Sequence, residues 1–184
     1  MPLKTLVKVG SLTNLSDARY CAGMDVQMLG FQAIPELPGH ITPARFQEIR
    51  GWVSGPSIVA EVHGLKSSSQ LDAIIEGYKP DYLELGLAEL PYAAHVSLPL
   101  IVRLYPGESL DTVLRAAYAL IELNDNRAFP VPSIVRVSTP EDAQAAYDAQ
   151  GVSGIALQGG EELSPGLKTY DSLAPILEML EEDN

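Results

Sequence analysis

Short apolar runs rich in Val, Ile and Leu alternate with longer helical patterns from one end of this chain to the other, and that rhythm restricts the fold most. Runs apolar on both faces read as strands of a parallel sheet, and each crossover between parallel neighbours needs about a dozen residues or more, usually with a helix. Strands are predicted at residues 6–10, 27–32, 57–62, 82–85, 100–105, 119–123, 133–137 and 154–157. Helix starts are marked by Asn14 ahead of Leu15, Thr42-Pro43, Ser67-Ser68-Ser69, Ser109 and Thr139-Pro140-Glu141-Asp142. Each offers a side-chain cap for free amides or a proline suited to the first turn. A last helix is expected over residues 170–182. Eight strands with right-handed crossovers close into a (β/α)8 barrel or stay open as a doubly wound sheet, and the rhythm alone does not choose.

One connection is too short for a helix. After the sixth strand the chain reads Asn124-Asp125-Asn126-Arg127-Ala128-Phe129-Pro130-Val131-Pro132, so a barrel built from it would have helix 6 missing or reduced to a turn. A length of 184 residues with 46% hydrophobic content fits a single domain over residues 1–184. The net charge of −12, with 12 scattered Lys and Arg, argues against nucleic acid as a partner. No apolar run approaches the roughly 20 residues of a membrane span and the N-terminus has no signal-peptide pattern, so no membrane partner and a cytoplasmic location are expected. The single cysteine, Cys21, forms no internal disulfide or cysteine zinc cluster and reads as a packed helical thiol. No paired-histidine spacing calls for a metal. Phe46, Ile49 and Trp52 have the spacing of a helix's inner face.

Six charged residues interrupt the apolar strands near their C-terminal ends: Lys8, Glu61, Glu84, Arg103, Glu122 and Arg136. Buried charges persist only when paired, so one reading is an ion-paired layer plugging the barrel. On that reading Arg103 and Arg136 lie within ion-pair distance of Glu61, Glu84 or Glu122. The other reading is a polar site at the barrel mouth, with Glu122, Glu61 and His63 as acid/base groups and Lys8, Arg103 and Arg136 contacting an anionic ligand. Glu61 and His63 share parity and so face the same side. His40 reads as a solvated loop side chain, and His95 lies in a connection away from any mouth.

Three segments carry a resemblance. They are Val7-Lys8-Val9-Gly10-Ser11-Leu12-Thr13 with Asp17-Ala18, Leu29-Gly30-Phe31 with the loop from Pro35 to Pro43, and Leu163-Ser164-Pro165-Gly166-Leu167-Lys168. They resemble phosphoribosylanthranilate isomerase of tryptophan biosynthesis. That family shows Val-Lys-Ile-Cys-Gly-Leu-Thr before an Asp-Ala helix, a Gly-Phe strand with a Ser-Pro-Arg loop, and Ser-Pro-Gly-Val-Lys after the last strand. The resemblance covers essentially the whole chain and is specific only near its ends. It implies a compact (β/α)8 TIM barrel, an isomerase working without a cofactor, and a small-molecule, phosphorylated ligand. A homodimer is the assembly expected.

The family's chemistry is matched less well than its fold. The resemblance places the general base, a cysteine, at Gly10, and the general acid, an aspartate, at Glu122. The substrate-facing loop arginine falls on Gly39, and the strand-four histidine is lost within Leu83-Glu84-Leu85-Gly86. The phosphate-binding glycines after strand seven are replaced by Val137-Ser138-Thr139-Pro140, leaving Gly159 and Gly160 as amides that could hold a phosphate, next to Glu161 and Glu162. Turnover of phosphoribosylanthranilate at or near background is therefore expected, with no rescue by Gly10→Cys alone. Three readings stay open: a diverged isomerase with a substitute base, a barrel binding or transforming another small molecule, and a non-catalytic structural or interaction protein.

Overall fold

The computed structural model describes residues 2–109, 111, 113–159 and 173–182. Eight parallel strands follow one another in sequence order and close into a barrel: β1 Leu6–Gly10, β2 Met28–Gln32, β3 Ser57–Glu61, β4 Tyr82–Gly86, β5 Leu100–Arg103, β6 Tyr118–Glu122, β7 Ser133–Arg136 and β8 Val152–Gln158, which pairs back onto β1. This is the TIM-barrel alternative. Closure leaves no free sheet edge and puts all strand C-terminal ends at one mouth.

Alternation along the strands divides the side chains into two sets. Val7, Val9, Leu29, Phe31, Leu83, Leu85 and Val102 face outward into the main core shared with the helices. Met28, Val59, Ile101, Leu120, Ile134 and Ala156 face inward and fill the barrel's middle, with Leu6, Tyr82 and Tyr118 below them. Above this apolar plug the same parity brings Lys8, Glu61, Glu84, Arg103, Glu122 and Arg136 to the top, because each lies two residues beyond an inward apolar residue. Among the inward-facing strand residues, charge is thereby confined to the C-terminal end of the barrel.

Four helices begin where their caps predict. Asn14 caps α1 (Leu15–Gly23), Thr42 caps α2 (Pro43–Arg50), Ser67 caps α3 (Ser68–Tyr78) and Thr139 caps α4 (Pro140–Asp148), each accepting the amide three residues on. No helix lies between β6 and β7, as the two prolines require.

Elsewhere the outer wall is thinner than the sequence rhythm suggests. Ser109 does accept the Asp111 amide, yet the described residues between it and β6 hold only a 3₁₀ turn, Val113–Arg115. Another 3₁₀ turn, Leu90–Ala93, bridges β4 and β5. The expected last helix is α5, Ala174–Met179, shorter than predicted within the described residues. Trp52 is a correction: it lies just past α2 and is 73% exposed, whereas Phe46 and Ile49 are buried. Gly51, the C-cap, ends the helix before the periodicity reaches it. No helix among the described residues is long and apolar enough to cross a membrane.

Candidate functional site

The mouth holds a cavity of about 630 Å³ lined by all six strand charges, with His63, Gln32, Asp142 and Gln158. Its two walls differ. On the β1–β4 side the charges are buried and tightly paired. Lys8 Nζ lies 2.8 Å from Glu61 Oε1 and 2.6 Å from Glu84 Oε2, and all three side chains are at most 7% exposed. Glu84 Oε1 in turn is 2.9 Å from His63 Nε2. Glu61 also accepts the Ser11 amide, 3.1 Å from both oxygens, and the Ser11 hydroxyl at 3.0 Å. Ser11 adopts φ +54°, a left-handed conformation unusual for a residue with a side chain, and its amide points at Glu61.

This cluster sets its members' protonation. Burial opposes charge on Glu84, but Lys8 and His63 outweigh it and hold the carboxyl down at about 2. Burial likewise disfavours the Lys8 ammonium, and Glu61 and Glu84 overcome that, leaving it well above its ordinary value. Cys21 is buried away from the mouth; burial pushes its thiol up to about 12, so it is a packing residue.

Two glycines make room for the buried charges. A Cβ on Gly10 would stand 2.5 Å from Glu61 Oε1 and 2.8 Å from Lys8 Nζ, and one on Gly30 would stand 2.3 Å from Glu61 Oε1. The place where the resemblance puts a cysteine base is thus filled by Glu61 from β3 and Lys8 from β1 itself.

On the β5–β7 side the groups are wetter. Arg136 Nη1 donates to Glu122 Oε1 at 2.8 Å, and Arg103 Nη2 lies 3.6 Å from the same oxygen; the three side chains are 23–35% exposed. The Arg103 guanidinium stacks over the Tyr105 ring at 4.7 Å. The six strand charges therefore do not form one buried layer. They split into a sealed cluster of three and a solvated group of three.

The remaining expectations are resolved unevenly. Glu122, Arg103, Arg136 and His63 line the cavity with accessible atoms. Glu61 and Lys8 border it too, buried and paired with one another. The Gly159 amide donates to the Gly10 carbonyl at 2.7 Å. Gly160 and the Ser164-Pro165-Gly166 segment lie outside the described residues. His40 is half-buried against Tyr78, not a freely solvated side chain, and His95 pairs with Asp72 away from the mouth. The described residues contain no cluster suited to a metal.

Residue reasoning missed Ser11, Gln32, Asp142 and the connection between Glu84 and His63. Asp142 lies in the first turn of α4 beside Glu141, where the free helix amides would otherwise suit a phosphate.

No family model matches this chain. A curated N-(5'-phosphoribosyl)anthranilate isomerase from Rippkaea orientalis is 25% identical over 209 residues, covering 96% of each chain. The phosphoribosyl anthranilate isomerase of Thermus thermophilus superposes with a TM-score of 0.75 at 18% identity, covering 95% of this chain and 98% of its own. The chain is a phosphoribosylanthranilate isomerase-like barrel. Mutually generated monomers of the dimeric isomerase from Thermotoga maritima superpose equally well, with a TM-score of 0.76 at 16% identity, over 96% of this chain and 98% of that one. The match to these relatives spans nearly the whole of both chains.

Proposed function

We propose that this barrel isomerises a small anionic sugar derivative of the phosphoribosylanthranilate kind by acid–base catalysis, with a substitute for the strand-one base. The observation that carries this reading is a cavity with a carboxylate-backed imidazole, His63–Glu84, on one wall and a carboxylate gripped by two guanidinium groups on the other. His63 takes a proton from the carbon next to the opening bond, and that C–H pair becomes the enolamine double bond. Glu122, in its protonated form, gives its proton to the ring oxygen, which keeps the C–O electron pair as the ring opens. Arg103, the looser of the two cations, turns to the ligand's anionic group. A phosphorylated ligand and a second copy of the chain are the partners this reading favours, the latter because a similar barrel is described as dimeric.

Steady-state assay of the full chain with phosphoribosylanthranilate tests the proposal. Turnover is expected about 10²–10⁴-fold below that of a site with a well-placed base, and His63→Asn or Glu122→Gln should abolish what remains. The sealed Lys8–Glu61–Glu84 cluster favours a second reading, a non-catalytic barrel whose charges serve only one another. Turnover indistinguishable from the enzyme-free rate, with no rise in melting temperature in ribose 5-phosphate or anthranilate, would establish that second reading and reject the first.

A further inference from the structure

We propose that Lys8 and Glu61 are positioning residues for His63: acting through Glu84, they fix the imidazole by its Nε2 and leave Nδ1 as the ring atom that exchanges protons with a ligand, and glycine at positions 10 and 30 makes the arrangement possible. The proposal deepens the isomerase reading and rests on it for what Nδ1 does.

Glu84 divides its two oxygens between two partners. Oε2 meets Lys8 at 2.6 Å and Oε1 meets His63 Nε2 at 2.9 Å, so the lysine fixes the rotamer from which the carboxylate reaches the ring. A carboxylate only accepts, so Nε2 carries the proton whatever the state of the rest of the ring. Lys8 cannot leave Glu84 easily, because Glu61 holds its other side, and Glu61 is pinned by both Ser11 donors. The chain of contacts from Ser11 to His63 thus runs from the end of β1 across β3 and β4 to the mouth. The charged groups around the imidazole are Glu84 on β4, Glu61 at the end of β3, Lys8 on β1, and Glu89 after β4. Glu89 accepts the Gly64 and Gly86 amides, each at 2.9 Å, and so ties together the two loops that flank His63.

Nδ1 lies on the other edge of the ring, beside Gly86, where a Cβ would stand 3.8 Å from it, and the His63 side chain is 26% exposed at the cavity. The same atom can take a proton from one carbon and return it to the next, which an isomerisation requires.

The Nε2–H proton of His63 reports the arrangement. In the full-length, ligand-free protein, proton NMR with 15N-labelled histidine should show a far-downfield, slowly exchanging ring N–H assigned to His63 by its loss in His63→Asn. Glu84→Gln should remove it. Glu61→Gln and Gly10→Ala, neither of which touches the ring, should each make it exchange about tenfold faster or more. Glu122→Gln, on the opposite wall, should leave it unchanged. If Gly10→Ala does not fold, Glu61→Gln carries the test, since it keeps the side chain's shape. Absence of a protected His63 N–H in the parent protein, or unchanged exchange in Glu61→Gln, overturns the proposal. The measurement needs no substrate: a positive result with no turnover would uphold the positioning chain and reject the isomerase reading alone.

Discussion

At the scale of single residues, the site turns on volumes as small as one methyl group. Gly10 looks in the sequence like a lost catalytic side chain, whereas in the folded chain it is the space that Glu61 and Lys8 occupy. Gly10→Cys is therefore expected to lower the melting temperature as well as leave turnover unrescued, because its Cβ meets a buried ion pair and not an empty pocket. The double change Gly10→Cys with Glu61→Ala should be less destabilised than the two single effects added together, since removing the carboxylate removes the clash. Additive losses would show that the cysteine is accommodated elsewhere. The two walls also separate two lysine- and arginine-dependent costs that look alike in sequence. Lys8→Met leaves two buried carboxylates without their cation and should cost about 3–5 kcal/mol. Arg103→Met, which a single buried ion-paired layer would make as costly, should cost less than about 1 kcal/mol. Its side chain is 23% exposed, its pairing distance is 3.6 Å, and Arg136 still holds Glu122. Urea melts of the two variants check the ordering, and equal losses would contradict the split.

At the scale of elements, legibility followed the local strength of the signal. Helices with a cap, a proline in the first turn or a clear apolar stripe were readable from Asn14, Thr42, Ser67 and Thr139, because capping is a contact over three residues. Ser109 carries the same local chemistry and makes the expected contact with Asp111, but β6 starts at Tyr118, leaving too little chain to repay helix nucleation. The strand charges were visible as interruptions, and parity put Glu61 and His63 on the same side, where both line the cavity. Their partition into sealed and wet pairs was not visible, since it depends on Gly10 and Gly30 giving depth on one side only. Nor could sequence spacing show His63 meeting Glu84, 21 residues away on the next strand. The cap on α4 supplies a test at this scale: Thr139→Ala should cost about 1 kcal/mol by losing its bond to the Asp142 amide. Asp142→Asn, which removes a carboxylate from the same turn, should strengthen binding of inorganic phosphate measured by calorimetry. A phosphate affinity that is unchanged would mean that the α4 start plays no part in anion binding.

For the whole molecule, the buried cluster and the overall charge act in opposite directions on stability as pH falls. At neutral pH the chain carries a formal charge of −12, and repulsion among surface carboxylates eases as the pH approaches the isoelectric point near 4.5. Glu84 then opposes this gain. Its folded value of about 2 lies below the roughly 4.3 of an unfolded glutamate, so its contribution is complete above the unfolded value and is lost as pH falls through the folded one. Lys8 is shifted upward, so its contribution is complete below about 10.4 and plays no part in the acid limb. Melting temperature should consequently hold or rise from neutral pH to about 4.5 and fall between about 4.5 and 2. Glu84→Gln should melt lower at neutral pH, because Lys8 and His63 lose a charged partner, yet decline less steeply in acid, because that side chain no longer takes up a proton on unfolding. Acid limbs that run parallel in the two proteins would show that the carboxylate lost between these pH values is not Glu84, and that the sealed cluster contributes less to this barrel than its distances suggest.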